Sequence, residues 1–252
     1  MARSQTSELQ HTLAAVNLFA DLPPTVLKKI HERCSWDHYQ PGQPILHYLD
    51  DSDDVYFVSS GQVSVTIYSV SGTAVSFRDL GPGTTFGEYA AIDSSPRSAS
   101  VVAKTECVIA AMGAARFREL LQSEPLIGMA LIRELVDNVR SLTNRVYEFS
   151  TLAVNNRIQA ELLRLAKAAP RQGKSARIVP PPKHAEIASR ISTHREAVTR
   201  EFSTLERNGL LERRRGALVL CDVAALAELL EKSRAQSELG GGRSELIRTR
   251  AS

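Results

Sequence analysis

Two stretches of the chain hold residue types that could do chemistry. In the first, Phe86-Gly87-Glu88-Tyr89-Ala90-Ala91-Ile92 is followed by Pro96-Arg97-Ser98-Ala99. It sets glycine and other small residues beside a carboxylate, a guanidinium and a hydroxyl. Backbone amides left open by small residues, together with an arginine, suit an anionic phosphate, and a carboxylate suits a sugar hydroxyl. Gly87, Glu88, Arg97 and Ser98 supply those groups. Taken alone, a glutamate and an arginine on neighbouring turns also read as a salt bridge.

The second stretch runs from His184 to Leu211. Ala185 to Ile191 reads as a short helix with Ile187 and Ile191 inward, broken by Ser192 and Thr193. Thr193-His194-Arg195-Glu196 has the form of a capping box that opens a second helix. Val198, Phe202 and Leu205 give that helix its buried stripe, and Asn208-Gly209 stops it. Two short helices joined by a tight turn form a helix-turn-helix pattern. Arg195, Glu196 and Arg200 lie off the stripe near the N-terminal end of the second helix, where a recognition helix reaches base edges. Arginine can pair bidentately with guanine, and a carboxylate can accept from cytosine. Leu210-Leu211 and Leu218-Val219-Leu220 flank Glu212 to Gly216, a hairpin wing whose arginines, Arg214 among them, can touch phosphates. The competing reading is a solvated helix face with pairs such as Glu196–Arg200. Cap, turn, basic end and arginine wing together favour DNA.

The elements that must position these groups fall into three regimes. From Trp36 to about Met112 the chain reads as short strands, with Val63, Val65 and Ile67 alternating against Gln62, Ser64 and Thr66. Turns punctuate it at Pro41-Gly42, Asp50 to Asp54, Ser60-Gly61, Ser71-Gly72 and Gly81-Pro82-Gly83. The expectation is an α+β chain whose first part is an antiparallel β jelly roll, preceded by a short helix near Pro24 to Cys34. A long helix follows, from Glu124 or Pro125 to near Leu152. Its apolar residues Ile132, Leu135, Val139, Leu142, Val146, Phe149 and Ala153 step by three and four, a heptad seam of the kind that packs two helices side by side. A helix begins near Asn155 and closes before Pro170; a polar loop at Arg171 to Ala176 and a short strand at Arg177 to Val179 precede the helix-turn-helix. The expected domains are 1–122, 123–153 for the dimerisation helix, 154–235 for a winged helix-turn-helix, and a disordered tail at 236–252.

Bulk properties narrow the class. The 252 residues carry 43% hydrophobic and 23% charged residues and a net charge of +3, as in a globular protein. Cys34, Cys107 and Cys221 are scattered, which argues for a reducing compartment, the cytoplasm, and against an iron–sulfur or structural zinc site. The polar N-terminus has no secretion signal, and no apolar run is long enough for a membrane. A cupin-like metalloenzyme would need paired histidines on adjacent strands, and the six histidines include no His-x-His. No nucleophile–base pair is visible, so an enzyme is not expected and no metal is expected. A haem or gas sensor remains open through His47 or Cys107 as a ligand. An effector-independent regulator would normally lack Glu88 or Arg97, and both are present.

Glu186-Ile187-Ala188, Arg195-Glu196-Ala197-Val198-Thr199-Arg200 and Leu205 to Leu210 resemble the recognition motif of the CRP/FNR superfamily, in its cAMP receptor branch. FGEYAAIDSSPRSA similarly resembles the phosphate-binding cassette of cyclic-nucleotide-binding domains. The resemblance covers about Leu18 to Val223. It implies that Glu88 holds a ribose, that Arg97 and Ser98 hold a phosphate, and that amides from Gly87 to Ala90 complete the cradle. It places Thr143 and Asn144 over the base. Tyr89 stands where the family usually has leucine. On the DNA side it implies guanine contacts by Arg195 and Arg200 and a cytosine contact by Glu196, and Thr193 and His194 count among the expected DNA-binding residues. His194 replaces a serine of that branch. The implied effector is cAMP, with cGMP open, and the implied partners are palindromic double-stranded DNA, a second copy of the chain and RNA polymerase.

Overall fold

The computed structural model describes residues 12–68 and 74–248, except the side chains of 67–77 and 236–248. The chain divides into two compact units, Met1–Val139 and Arg140–Ser252.

The first unit opens with a 3-10 turn, Asn17–Phe19, and α1, Pro24–His31. Its strands are β1 Ser35–Tyr39, β2 Pro44–Leu46, β3 Val55–Ser60, β4 Val63–Tyr68, β5 Ala74–Leu80, β6 Thr85–Phe86, β7 Ser100–Ala103 and β8 Cys107–Met112. They form two antiparallel sheets, ordered β1-β8-β3-β6 and β2-β7-β4-β5, the expected jelly-roll arrangement. A short helix α2, Glu88–Asp93, interrupts the strands between β6 and β7. After β8 come α3, Ala114–Ser123, and the long helix α4, Pro125–Thr151, whose last turns belong to the second unit.

One core joins Phe19, Phe57, Met112 and Phe117 to Ile127 and Leu131 of α4; a second, between the sheets, holds Val58, Val63, Phe86 and Ile109. The strict alternation expected along β4 fails at a bulge between Val65 and Thr66. The extra residue there is Phe77 of β5, and on β4 itself Thr66 is buried while Val65 is only partly so. Ile67 has its side chain outside the described residues, and the Ser71-Gly72 turn lies outside them altogether.

In the second unit, α5 spans Val154–Ala168. The expected polar loop is instead a hairpin, β9 Arg171–Gln172 with β10 Ser175–Ile178, turned at Gly173. Then come α6 His184–Arg190, α7 Arg195–Arg207, β11 Leu211–Arg214, β12 Ala217–Leu220 and α8 Val223–Arg248. A four-stranded sheet, β11-β12-β10-β9, backs the helices. Ile158, Ile187, Ile191, Val198, Phe202 and Leu220 share its core. The backbone of α8 is helical to Arg248, through Gly240-Gly241-Gly242, where a structureless tail was expected. Once a helix is running, each added residue gains a hydrogen bond. The tail's side chains, and all of 249–252, lie outside the described residues.

Along α4, the heptad seam is an exposed apolar stripe. Ile132, Val136, Val139, Leu142, Val146 and Phe149 are each between 40% and 66% exposed. Leu135, expected in the seam, instead packs on the core of its own unit, and Val136 takes its place. Ala153 lies past the end of α4, as the N-cap of α5.

Candidate functional site

The cassette begins where β6 ends. Phe86 stacks on Tyr56, ring centroids 5.0 Å apart, and Gly87 then turns the chain into α2 with φ +83°. A Cβ at Gly87 would lie 2.8 Å from Arg97 Nη1 and 2.8 Å from the Asp54 carbonyl, so glycine alone fits. The Arg97 side chain, 2% exposed, is among the largest fully buried ones described. Its Nη1 donates to the Gly87 carbonyl (2.9 Å), Nη2 to the Asp54 carbonyl (2.8 Å) and Nε to Ser52 Oγ (2.9 Å). Its guanidinium also lies over the Tyr56 ring. The backbone around it is pinned as well, with Arg97 N bonded to the Asp50 carbonyl and Leu49 N to the Arg97 carbonyl. These partners are carbonyls and a hydroxyl. No described carboxylate forms an ion pair with this buried cation, an arrangement that is costly unless an anion completes it.

Glu88 opens α2 and is 6% exposed. Burial pushes its carboxyl above the usual carboxylate range; its own amide, Arg78 and Arg97 pull it back, and Glu134 pushes it further up. Burial raises Glu134 too, with Arg78 opposing. Arg78 donates to Asn138 Oδ1. Arg78, Glu134 and Asn138 therefore join Glu88 in the first unit, and sequence reasoning missed all three. The available signal was the i,i+4 spacing of Glu134 and Asn138 on one face of α4. Among the expected residues, Ala90 is buried under the cassette, while Tyr89 and Ser98 are exposed at its edge. Thr143 and Asn144 belong to the second unit, where both are exposed. Of the two residues singled out as haem ligands, His47 is exposed. Cys107 is buried, with its thiol donating to the Gln62 carbonyl at 3.2 Å.

In the second unit, α6 and α7 are joined through Ser192, which adopts φ +52°. The expected capping box is not formed. The N-cap is His194, one residue beyond Thr193, and no side chain caps the helix there. The left-handed Ser192 turn directs the Thr193 amide back to the Ala188 carbonyl, which leaves the half-buried Thr193 outside the cap position. His194, Arg195, Glu196 and Arg200 are all exposed at the start of α7. The helix stops as expected, with Gly209 at φ +69° and Leu210 N bonded back to the Leu205 carbonyl. In the wing, Arg214 is held by Glu212 through two 2.9 Å bonds, and Arg213 pairs with Glu206 while lying over Phe202. Sequence reasoning also missed His184. Its Nδ1 is 2.8 Å from Thr199 Oγ1, and its ring meets Phe202 edge-on. Burial, Arg213 and Arg195 lower its pKa, with Glu206 opposing.

Among the described residues no helix is long and apolar enough to cross a membrane, and no cluster of three or more metal-ligating side chains occurs.

The sequence matches the Cyclic nucleotide-binding domain family over residues 36–124 and the Crp-like helix-turn-helix domain family over residues 156–229. It is 28% identical over 213 residues to the cAMP-activated global transcriptional regulator CRP of Haemophilus influenzae, covering 82% of this chain and 93% of that one. It is 29% identical over 191 residues to the Cyclic AMP receptor protein of Thermus thermophilus, covering 76% and 86%. A solved transcriptional regulator of the CRP/FNR family from Thermus thermophilus superposes with a TM-score of 0.62 at 26% identity, covering 79% of this chain and all of that one. Both matched domains occur in the order and with the folds described above, and the chain belongs to the CRP/FNR family of transcription regulators, which act on DNA rather than as enzymes.

Proposed function

We propose that this regulator binds cAMP in the Gly87–Arg97 cassette and, as a homodimer, places two α7 helices in successive major grooves of a palindromic site. The observation that carries the reading is Arg97: a buried guanidinium bonded to the Gly87 and Asp54 carbonyls and Ser52, with no carboxylate among the described residues in an ion pair with it. A cyclic phosphate supplies the missing anion. Glu88 accepts from the ribose 2′-hydroxyl, and amides from Gly87 through Ala90, with Ser98, complete the cradle. Tyr89 borders it. The names of the relatives favour cAMP, with cGMP as the competitor.

The exposed stripe of α4 supports dimerisation, because apolar side chains at three- and four-residue steps pack against a second copy. Two-fold symmetry then separates the recognition helices by about 34–36 Å. Arg195 and Arg200 read guanines and Glu196 reads cytosine, while Thr193, His194 and Arg214 face the backbone. The protein acts in the cytoplasm, and the segment from Ala168 to Ser175 is a surface for RNA polymerase.

The test is fluorescence anisotropy on DNA selected from a random pool by the protein in the presence of cAMP. The selected sites should be palindromic, and cAMP should tighten binding at least about tenfold, within the usual range of allosteric coupling. DNA affinity that neither cAMP nor cGMP changes would contradict the proposal.

A further inference from the structure

Away from the cassette and the DNA-facing residues, the second unit buries a lattice of charges. Glu161 of α5 is 2% exposed and Arg190 of α6 is 5% exposed. Three guanidiniums from three helices converge on that one carboxylate: Arg145 of α4 at 3.9 Å, Arg164 of α5 at 2.9 Å and Arg190 at 3.2 Å. Arg164 also bonds Glu148 of α4 at 2.8 Å. Arg145 Nη2 donates to the backbone carbonyl of Arg190 at 2.8 Å, at the last residue of α6 before the turn that leads to α7. Burial pulls the Arg145 pKa down, and Glu161 opposes that pull.

Stability alone does not explain such a lattice. Replacing buried ion pairs by well-packed apolar residues of similar volume is often neutral or stabilising. Directional bonds do what an apolar patch does not: they fix one angle and one register between helices. Here they fix the final turns of α4 to α6, and α6 shares its core with α7 through Ile187 and Phe202.

We propose that Arg145 is a positioning residue that locks the C-terminal turns of α4 to the helix-turn-helix as one body, so that α7 follows any effector-driven change in α4. The inference rests on the proposed function, in which the effector acts through that helix. Arg145 touches neither effector nor DNA in this account; it acts through the Arg190 carbonyl and Glu161.

The experiment compares the parent chain with Arg145→Ala, reading cAMP affinity by calorimetry and DNA affinity by anisotropy with and without cAMP. The parent is read first. If it shows no cAMP enhancement of DNA binding, the proposed function fails and this inference fails with it. If the parent responds, the variant should bind cAMP within about twofold of the parent and keep its effector-free DNA affinity, while the enhancement drops about tenfold. Enhancement retained at the parent level overturns the inference. So does an equal loss of DNA affinity with and without cAMP, which is the mark of a merely structural role. Should the alanine variant not fold, Arg145→Lys, which keeps the charge but removes the guanidinium that joins the Arg190 carbonyl to Glu161, is read the same way and gives the same decision.

Discussion

Arg97 Nη1 donates to the carbonyl of Gly87 at 2.9 Å, and the same glycine leaves no room for a side chain beside that nitrogen. The two residues are ten apart in sequence, and each fixes the other. Gly87→Ala would strain a left-handed backbone, at about 1–2 kcal/mol, and would push its methyl toward the guanidinium and the Asp54 carbonyl. The expected outcome is a loss of at least about 2 kcal/mol in denaturant unfolding, together with weakened cAMP binding. Unchanged stability and affinity would show that the turn does not hold the arginine.

The carboxyl of Glu88 gives a pH dependence whose sign is fixed. Burial, its largest influence, raises the folded pKa above the unfolded one. The folded state then binds more protons than the unfolded state between those two values, so stability falls as pH rises through that window. Glu88→Gln removes this dependence. The variant should unfold at higher denaturant than the parent at pH 7, and the gap should close as pH is lowered into the ordinary carboxylate range. Bonding to a ribose hydroxyl favours the ionised carboxylate, so the cAMP affinity of the parent should increase with pH across the same window. Denaturant titrations and calorimetry at several pH values check both trends; a gap that widens toward acid would contradict the assignment.

Recognition and backbone contacts separate by their salt and sequence behaviour. Arg200→Ala should cost about 1–3 kcal/mol of DNA affinity and relax preference at one base pair. Arg214→Ala should instead weaken binding to all sequences alike and reduce the salt slope by about one. Its present partner, Glu212, is exposed, so little is lost in exchanging that carboxylate for a phosphate. Binding to a panel of single-base variants at several salt concentrations distinguishes the two; a uniform loss for Arg200→Ala would make it a phosphate contact.

The α4 stripe is testable by one charge. Val139 is 62% exposed in the single chain, and burying such a side chain stabilises by about 1.5–3 kcal/mol in each copy. Val139→Lys should therefore turn a dimer into a monomer at micromolar concentration in sedimentation experiments while leaving each unit folded. A parent chain that sediments as a monomer would remove the dimer from the account.

The sequence was most legible where a motif holds several residue types at fixed spacing. The Gly87–Glu88 turn, Arg97 and the inward stripe of Val198, Phe202 and Leu205 all stand where their spacing put them. Partners that contribute only backbone were invisible: the Asp54 carbonyl that holds Arg97 has no signature in residue type. The seam was read one residue off at Leu135 because neighbouring apolar residues on a helix point about 100° apart, and tertiary packing, absent from the heptad rule, decides which faces its own core. The capping box failed for a similar reason. The left-handed Ser192 moved the cap position to His194, and a non-glycine residue in that conformation is not foreseen from spacing. Around Glu161, only the Arg164 pair has a local i,i+3 signature; Arg145 and Arg190 reach it from two other helices, which no local pattern announced.

The central claim is that the Arg97 cassette binds a cyclic nucleotide, and calorimetric titration of the purified protein with cAMP, then with cGMP, tests it most directly. The account calls for saturable binding near one molecule per chain, tighter for cAMP, and for its loss in Arg97→Ala. Absence of binding by either nucleotide, or an Arg97→Ala variant that binds as the parent does, would contradict it.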